Sequence, residues 1–278
     1  MASRALVLGG GGVTGVAWEI GLLAGLAEGG MELTDADLVV GTSAGAVVGA
    51  QVTSGVPLPE LYARQLAGYG GELAARLSRR SIATMGWAAV RSREPRTARA
   101  RIGRLALNTP TVPEAQRRAV IESRLPVHDW PSTRLRVTAV DAESGAFVVF
   151  DRDAGVTLVD AVAASCAVPG VWPPVTIDGR RWIDGGMRSS ANADLAQGCQ
   201  RVVVLAPVSG GFGPIARLAD QVAALRAGGA QVSVVTPDRD SRRAIGRNML
   251  DPARRAVAAR AGHAQAPAAA AEIRDTWS

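Results

Sequence analysis

Lysine is absent from this chain, so each of its 31 basic residues is an arginine. An arginine-only complement points to a GC-rich genome, and the count by itself is no sign of a phosphate ligand. Histidine is almost absent too. His128 and His263 stand in no setting that looks catalytic, which argues against a histidine-based nucleophilic site. The two cysteines, Cys166 and Cys199, exclude a disulfide framework and a cysteine metal cluster; they read as small buried residues of a reducing compartment. No uninterrupted apolar stretch approaches membrane-spanning length. The apolar run Ala5–Leu8 passes straight into glycines and reads as a strand rather than a secretory signal, so a cytoplasmic protein is expected. No internal repeat stands out, and no nucleic-acid-binding motif accompanies the basic charge.

What is present suits an ordinary globular fold. Of 278 residues, 47% are hydrophobic and 20% charged, enough chain for one large α/β domain or two small ones, with a sizeable core. The formal charge of +6 is unevenly spread. Between Pro57 and Trp130, thirteen Arg face five Glu and Asp129, a net of +7. A basic segment of this kind fits either a solvated helical face or peripheral contact with an anionic membrane surface.

The chain opens as strand (Arg4–Gly9), glycine loop, helix (Val16–Glu28), strand (Asp37–Val40), tight turn and helix (Ala46–Ser54). That alternation predicts a parallel sheet covered by helices. Residues from about 57 to 130 read as a helical, Arg-rich inserted cap. Its Leu61, Leu66, Leu73, Leu77, Met85 and Trp87 are candidates for an acyl pocket or, more simply, for core packing. Two runs, Arg134–Val140 and Phe147–Phe150, form a hairpin through Glu143-Ser-Gly145. A small-residue helix (Leu158–Ala167), a strand into Asp184, a short helix (Ser190–Gln197), strands at Arg201–Ala206 and Gln231–Thr236, and a final helix (Arg242–Arg260) complete the domain, 1–262. Residues 263–278 read as a frayed, Ala/Pro-rich tail.

Three ordered motifs carry the chemistry. Gly41-Thr-Ser-Ala-Gly45, between a strand and a helix, places Ser43 at a sharp turn where a helix N-terminus points its N–H groups and positive dipole end toward the hydroxyl. Gly10-Gly-Gly-Val-Thr-Gly15 can turn backbone amides of Gly10, Gly11 and Gly12 toward an oxyanion. Asp184-Gly-Gly186 delivers a carboxylate from a strand end, with Gly185 and Gly186 allowing close approach; Asp178-Gly179, by contrast, reads as a plain turn. A serine needs a base within hydrogen-bond reach, and a partly desolvated carboxylate can serve where histidine is missing. Gly10-x-Gly12-x-x-Gly15 also matches a dinucleotide fingerprint. That reading wants an acidic residue at the end of the second strand, where this chain has the Gly41-Thr-Ser43 turn instead.

Together with Ala164-Ser-Cys-Ala-Val-Pro169, these motifs resemble the patatin-like phospholipase family over about Leu6 to Leu195. The resemblance implies a three-layer α/β/α sandwich with a mainly parallel central sheet. It also implies a Ser43–Asp184 dyad, an oxyanion loop of Gly10, Gly11 and Gly12, and hydrolysis of lipid acyl esters with no metal or organic cofactor. Gly15, Gly41, Gly45, Gly185 and Gly186 would support the motifs. Two positions depart from that pattern: Thr14 stands where a basic residue is usual and Trp172 where Phe is more usual. Rival readings are a carboxylesterase or thioesterase on soluble acyl esters, and an idle lipid-binding module.

Overall fold

A computed structural model describes residues 3–67, 73–76, 92, 94–210 and 215–277. Within them the chain runs β1 (Arg4–Leu8), α1 (Gly12–Glu28), β2 (Leu38–Gly41), α2 (Ala44–Val52), α3 (Leu58–Ala67), α4 (Pro95–Leu107) and α5 (Glu114–Arg124). It continues through β3 (Arg134–Asp141), β4 (Phe147–Phe150), α6 (Leu158–Ser165), β5 (Val175–Ile177), β6 (Arg180–Asp184) and β7 (Arg201–Leu205). It closes with α7 (Leu218–Ala227), β8 (Gln231–Val235), α8 (Arg239–Ile245) and α9 (Arg255–Trp277). Short 3-10 turns lie at Gly185–Met187, Ala193–Ala196 and Pro252–Arg254. No helix among the described residues is long and apolar enough to cross a membrane.

The inner strands are short runs of Leu, Val and Ala because both sheet faces are buried. Along β1, Leu6 and Leu8 join the core under α1, α2, α6 and α9, while Ala5 and Val7 join the opposite core under α7 and the Ala193–Ala196 turn. Helix α4 adds Ile102 and Ala106 against Val140 and Ile183. The result is the three-layer α/β/α sandwich expected. The eight-stranded sheet is mixed, however. Strands β3, β2, β1, β7 and β8 are parallel neighbours, whereas β4 and β6 pair antiparallel to β3, and β5 antiparallel to β6.

The register at β3 positions the site. Val137 pairs with both Gly41 and Phe150, and Ala139 with both Val148 and Asp184. A strand has two edges, so β2 and β6 occupy the same edge of β3, one after the other, with β4 on the other edge. Running toward each other, β2 ends at Gly41 and β6 at Asp184, opposite β3 residues only two apart.

The carboxy-terminal expectations are corrected. In place of one final helix over Arg242–Arg260 there are α8 and α9, separated by the Gly246–Asp251 loop. The expected frayed tail is the body of α9, with Ala266, Ala269, Ile273 and Trp277 buried. Small residues are what allow this packing: a Cβ on Gly262 would come 2.2 Å from the Trp18 carbonyl oxygen, and one on Gly21 would come 2.0 Å from that of Ala259. The helix expected over Ser190–Gln197 is reduced to the Ala193–Ala196 turn. The described helices of the expected cap join the layers: α3 packs on α1 and α9, α4 on β3, and α5 on α6.

Candidate active site

Ser43 links β2 to α2 with φ 55° and ψ −113°, a conformation that costs a non-glycine residue on the order of 1–3 kcal/mol. Close packing holds it there. Gly45 lies so near β1 that a Cβ would be 2.0 Å from the Leu8 carbonyl oxygen, and its amide donates to the Gly9 and Thr42 carbonyls. A serine at a helix N-cap ordinarily turns its hydroxyl onto the first-turn amides. Ser43 does not; its side chain instead acts on the Asp184 carboxyl, favouring the ionised form. The Ser43 amide donates to Ser165 Oγ at 2.9 Å, and the Cys166 thiol donates to the Ser43 carbonyl at 3.3 Å.

Asp184 caps the Gly185–Met187 turn, its Oδ1 accepting the Gly186 amide at 2.7 Å. It is only 3% exposed, and this burial pushes its carboxyl up to about 6, against the opposing effect of Ser43 and Gly186. The two glycines after it are required: a Cβ on Gly185 would meet Thr138 Oγ1 at 2.2 Å, and one on Gly186 the Asp184 carboxylate at 2.9 Å. A buried polar knot ties the two turns together. Asn192 Nδ2 donates to Thr42 Oγ1 at 3.0 Å and to the Gly185 carbonyl at 3.3 Å, and Thr138 Oγ1 donates to Thr42 Oγ1 at 3.0 Å.

The glycine loop lies beside Ser43, but one expected donor is diverted. The Gly10 amide donates to the Ser190 carbonyl at 2.7 Å, so it is committed to holding the loop against that segment. Among the described residues, the Gly11 and Gly12 amides have no such partner and remain the candidates. Gly12 has φ +60°, and a Cβ there would come 2.5 Å from the Met249 carbonyl oxygen. Thr14 is buried, and both its amide and its hydroxyl donate to the Met249 carbonyl, at 3.1 and 3.3 Å. It anchors the loop and brings no charge to the site.

A narrow cleft opens onto Ser43 and Gly12, walled by Val13, Val16, Val47, Val168, Trp172 and Leu250. Two arginines of α5, Arg117 and Arg124, complete the wall. Neither was singled out from the sequence; nor were Ser165, Thr42, Thr138 and Asn192. The i, i+7 spacing of the arginines on one helical face was the available signal. Of the suggested acyl-pocket residues, Leu61 is buried in the core and Leu66 is exposed, and neither they nor Leu73 line this cleft; Leu77, Met85 and Trp87 fall outside the described residues. The histidines are remote. His263 bonds Glu28 and stacks on Tyr62, and His128 lies against Glu122. The described residues hold no His, Cys, Asp and Glu grouping suited to a metal.

The family model for patatin-like phospholipase matches residues 6–196. No curated protein matches the chain. Among solved structures, VipD from Legionella pneumophila is 14% identical, with a TM-score of 0.40; the alignment covers 74% of this chain and 50% of that one. ExoU, solved as a type III effector, is 17% identical with a TM-score of 0.39, covering 95% of this chain and 53% of its own. The SpcU complex of ExoU from Pseudomonas aeruginosa is similar at 15% identity and a TM-score of 0.40, over 98% of this chain and 53% of that one. The chain thus spans about half the length of each.

Proposed function

This chain belongs to the patatin-like phospholipase family, and we propose that it hydrolyses lipid acyl esters with Ser43 as nucleophile and Asp184 as base. The feature that supports the proposal is the interaction of the Ser43 side chain with Asp184, a buried carboxylate whose basicity burial has raised. A base with a pKa near 6 is ionised at neutral pH yet basic enough to take a proton during attack.

Asp184 accepts the Ser43 hydroxyl proton as Oγ attacks the ester carbonyl carbon. The oxyanion that forms is held by the Gly11 and Gly12 amides, aided by the positive end of the α2 dipole. Collapse of the tetrahedral intermediate breaks the bond to the alcohol, which leaves with the proton from Asp184. Water, deprotonated by the same carboxylate, then attacks the acyl-serine, and a second collapse releases the carboxylic acid and restores Ser43. Every proton and charge in this sequence is handled by a group of this chain.

The test is hydrolysis of a chain-length series of chromogenic acyl esters by wild type and Ser43→Ala. Turnover should fall at least a thousandfold in the variant, with an unchanged circular dichroism spectrum; retained turnover would sink the proposal. Preference for long chains would assign a lipid substrate, and preference for acetyl or butyryl esters a soluble one. We also place the Arg-rich 57–130 segment against anionic lipid. Rates on vesicle-borne substrate should then rise with the anionic lipid fraction and fall with salt.

A further inference from the structure

The loop 246–251, which joins α8 to α9, lies beyond the stretch that the family model matches, yet it reaches the site. Its base is fixed by Arg254, which donates to the Arg243 and Ala244 carbonyls at 2.6 and 2.9 Å and so satisfies acceptors left over at the end of α8. Gly246, with φ +75°, lies against that guanidinium, where a Cβ would come 2.5 Å from Arg254 Nε. Asn248 holds the tip. Its Nδ2 donates to the Ala75 carbonyl at 3.0 Å, and its Oδ1 accepts the Leu250 amide at 3.3 Å. Between those anchors the Met249 carbonyl accepts both bonds from Thr14, the amide at 3.1 Å and the hydroxyl at 3.3 Å. Leu250 completes the reach: it lines the cleft, and its Cδ2 would be 3.0 Å from a Cβ on Gly12.

Resting on the hydrolase reading above, we infer that segment 248–250 forms a further wall of the active site, in which Asn248 is a positioning residue for the oxyanion loop and Leu250 selects the acyl group. The direction of the Gly12 amide depends on its positive φ, and Gly12 has no side chain to hold that conformation. The hold comes from Thr14, two residues on, through its two bonds to Met249. Losing the Asn248 bonds frees the segment that carries the Met249 carbonyl. The cost then falls on stabilisation of the oxyanion and not on substrate binding. Leu250 has a different task. The ester carbonyl oxygen meets the Gly12 amide, so a side chain packed on Gly12 stands beside the acyl carbon next to that carbonyl. Leu250 therefore rejects a branch at that carbon and accepts a straight chain, for which Val13 and Val16 continue the apolar wall.

The experiment reads kcat and KM for chromogenic octanoyl and α-methyloctanoyl esters in wild type, Asn248→Ala, Asn248→Asp, Leu250→Ala and Leu250→Phe. Hydrogen exchange of the peptide spanning the glycine loop accompanies it, as does calorimetric titration with octanoate and α-methyloctanoate. Asn248→Ala should lose about tenfold or more in kcat with KM within about twofold, and exchange of the loop peptide should speed up about tenfold. Asn248→Asp, which keeps the acceptor for the Leu250 amide, should recover part of both. Leu250→Ala should raise the kcat/KM ratio of branched to straight ester about tenfold and Leu250→Phe should lower it, with the two acids binding in the same order. Unchanged kcat or unchanged exchange in Asn248→Ala would overturn the positioning role. Equal changes on both esters in the Leu250 variants would overturn the selection. Failure of the hydrolase reading looks different: wild type then shows no Ser43-dependent turnover, while exchange and acid binding still decide both roles.

Discussion

Asp184 does two things that pull against each other. Burial raises its carboxyl to about 6 from the ordinary 3.8, which suits it to the proposed role of base and also makes its ionised form costly. The shift of roughly two units corresponds to about 3 kcal/mol between the protonation states. Between those two values the folded protein binds more protons than the unfolded chain. The contribution of Asp184 to stability is therefore most favourable below 3.8, declines as pH rises, and levels off above 6. Activity runs the other way: kcat/KM should rise with pH along a limb centred near 6 and reach a plateau by about 7.5. Asp184→Asn should abolish the activity while raising the unfolding free energy at pH 8 by up to about 3 kcal/mol, with little gain at pH 4. Denaturant titrations at the two pH values would check this; a variant equally or less stable at pH 8 would contradict the assigned burial cost.

At the scale of elements, the packing of α1 on α9 rests on backbone approaching backbone. Gly21 and Gly25 on α1 face Ala259, His263 and Ala266, and Gly262 on α9 faces Trp18. Because any Cβ at 262 must displace the α1 backbone, Gly262→Val should destabilise the fold by about 2 kcal/mol or more, read from chemical denaturation. Ser43-dependent chemistry should survive at temperatures where the variant is folded. These helices also show what composition conceals. An Ala/Pro-rich stretch reads as a tail because alanine has little hydrophobic pattern, yet small side chains are what a tight helix pair demands. Pro267 stands inside α9 without ending it.

For the whole molecule, β3 is the meeting point. One of its edges carries β2 and then β6, so the Ser43 turn and the Asp184 turn arrive from opposite directions at neighbouring positions. The knot of Thr42, Thr138 and Asn192 joins them. The fold also depends on its last helix. Ile273 and Trp277 are buried, and Trp277 Nε1 donates to the Glu32 carbonyl at 2.7 Å while Arg4 lies over its ring. Ending the chain after Ala261 would uncover the α1 side of the core. Such a truncation should lose cooperative thermal unfolding altogether, whereas a merely appended tail would leave the melting curve unchanged.

Local motifs were legible because their chemistry is local. Gly41-Thr-Ser43-Ala-Gly45 reads as a strand-to-helix turn, since Gly41 answers the close return of Ala46 in the same β–α unit, although Gly45 answers the neighbouring strand β1. Asp184-Gly-Gly186 likewise marks a carboxylate on a tight turn, and the opening β–α–β–α alternation predicts a parallel sheet. Tertiary structure decided everything that depends on a distant partner. Only the fold could commit the Gly10 amide to Ser190, bind Thr14 to Met249, or dock residues 263–277 as the core-covering half of α9. Helical periodicity places Arg117 and Arg124 on one face of α5, but not what that face looks at. The physical reason is that a sequence pattern reports the neighbours a residue has along its own strand or helix. The direction in which a buried charge is aimed depends on contacts made across the sheet.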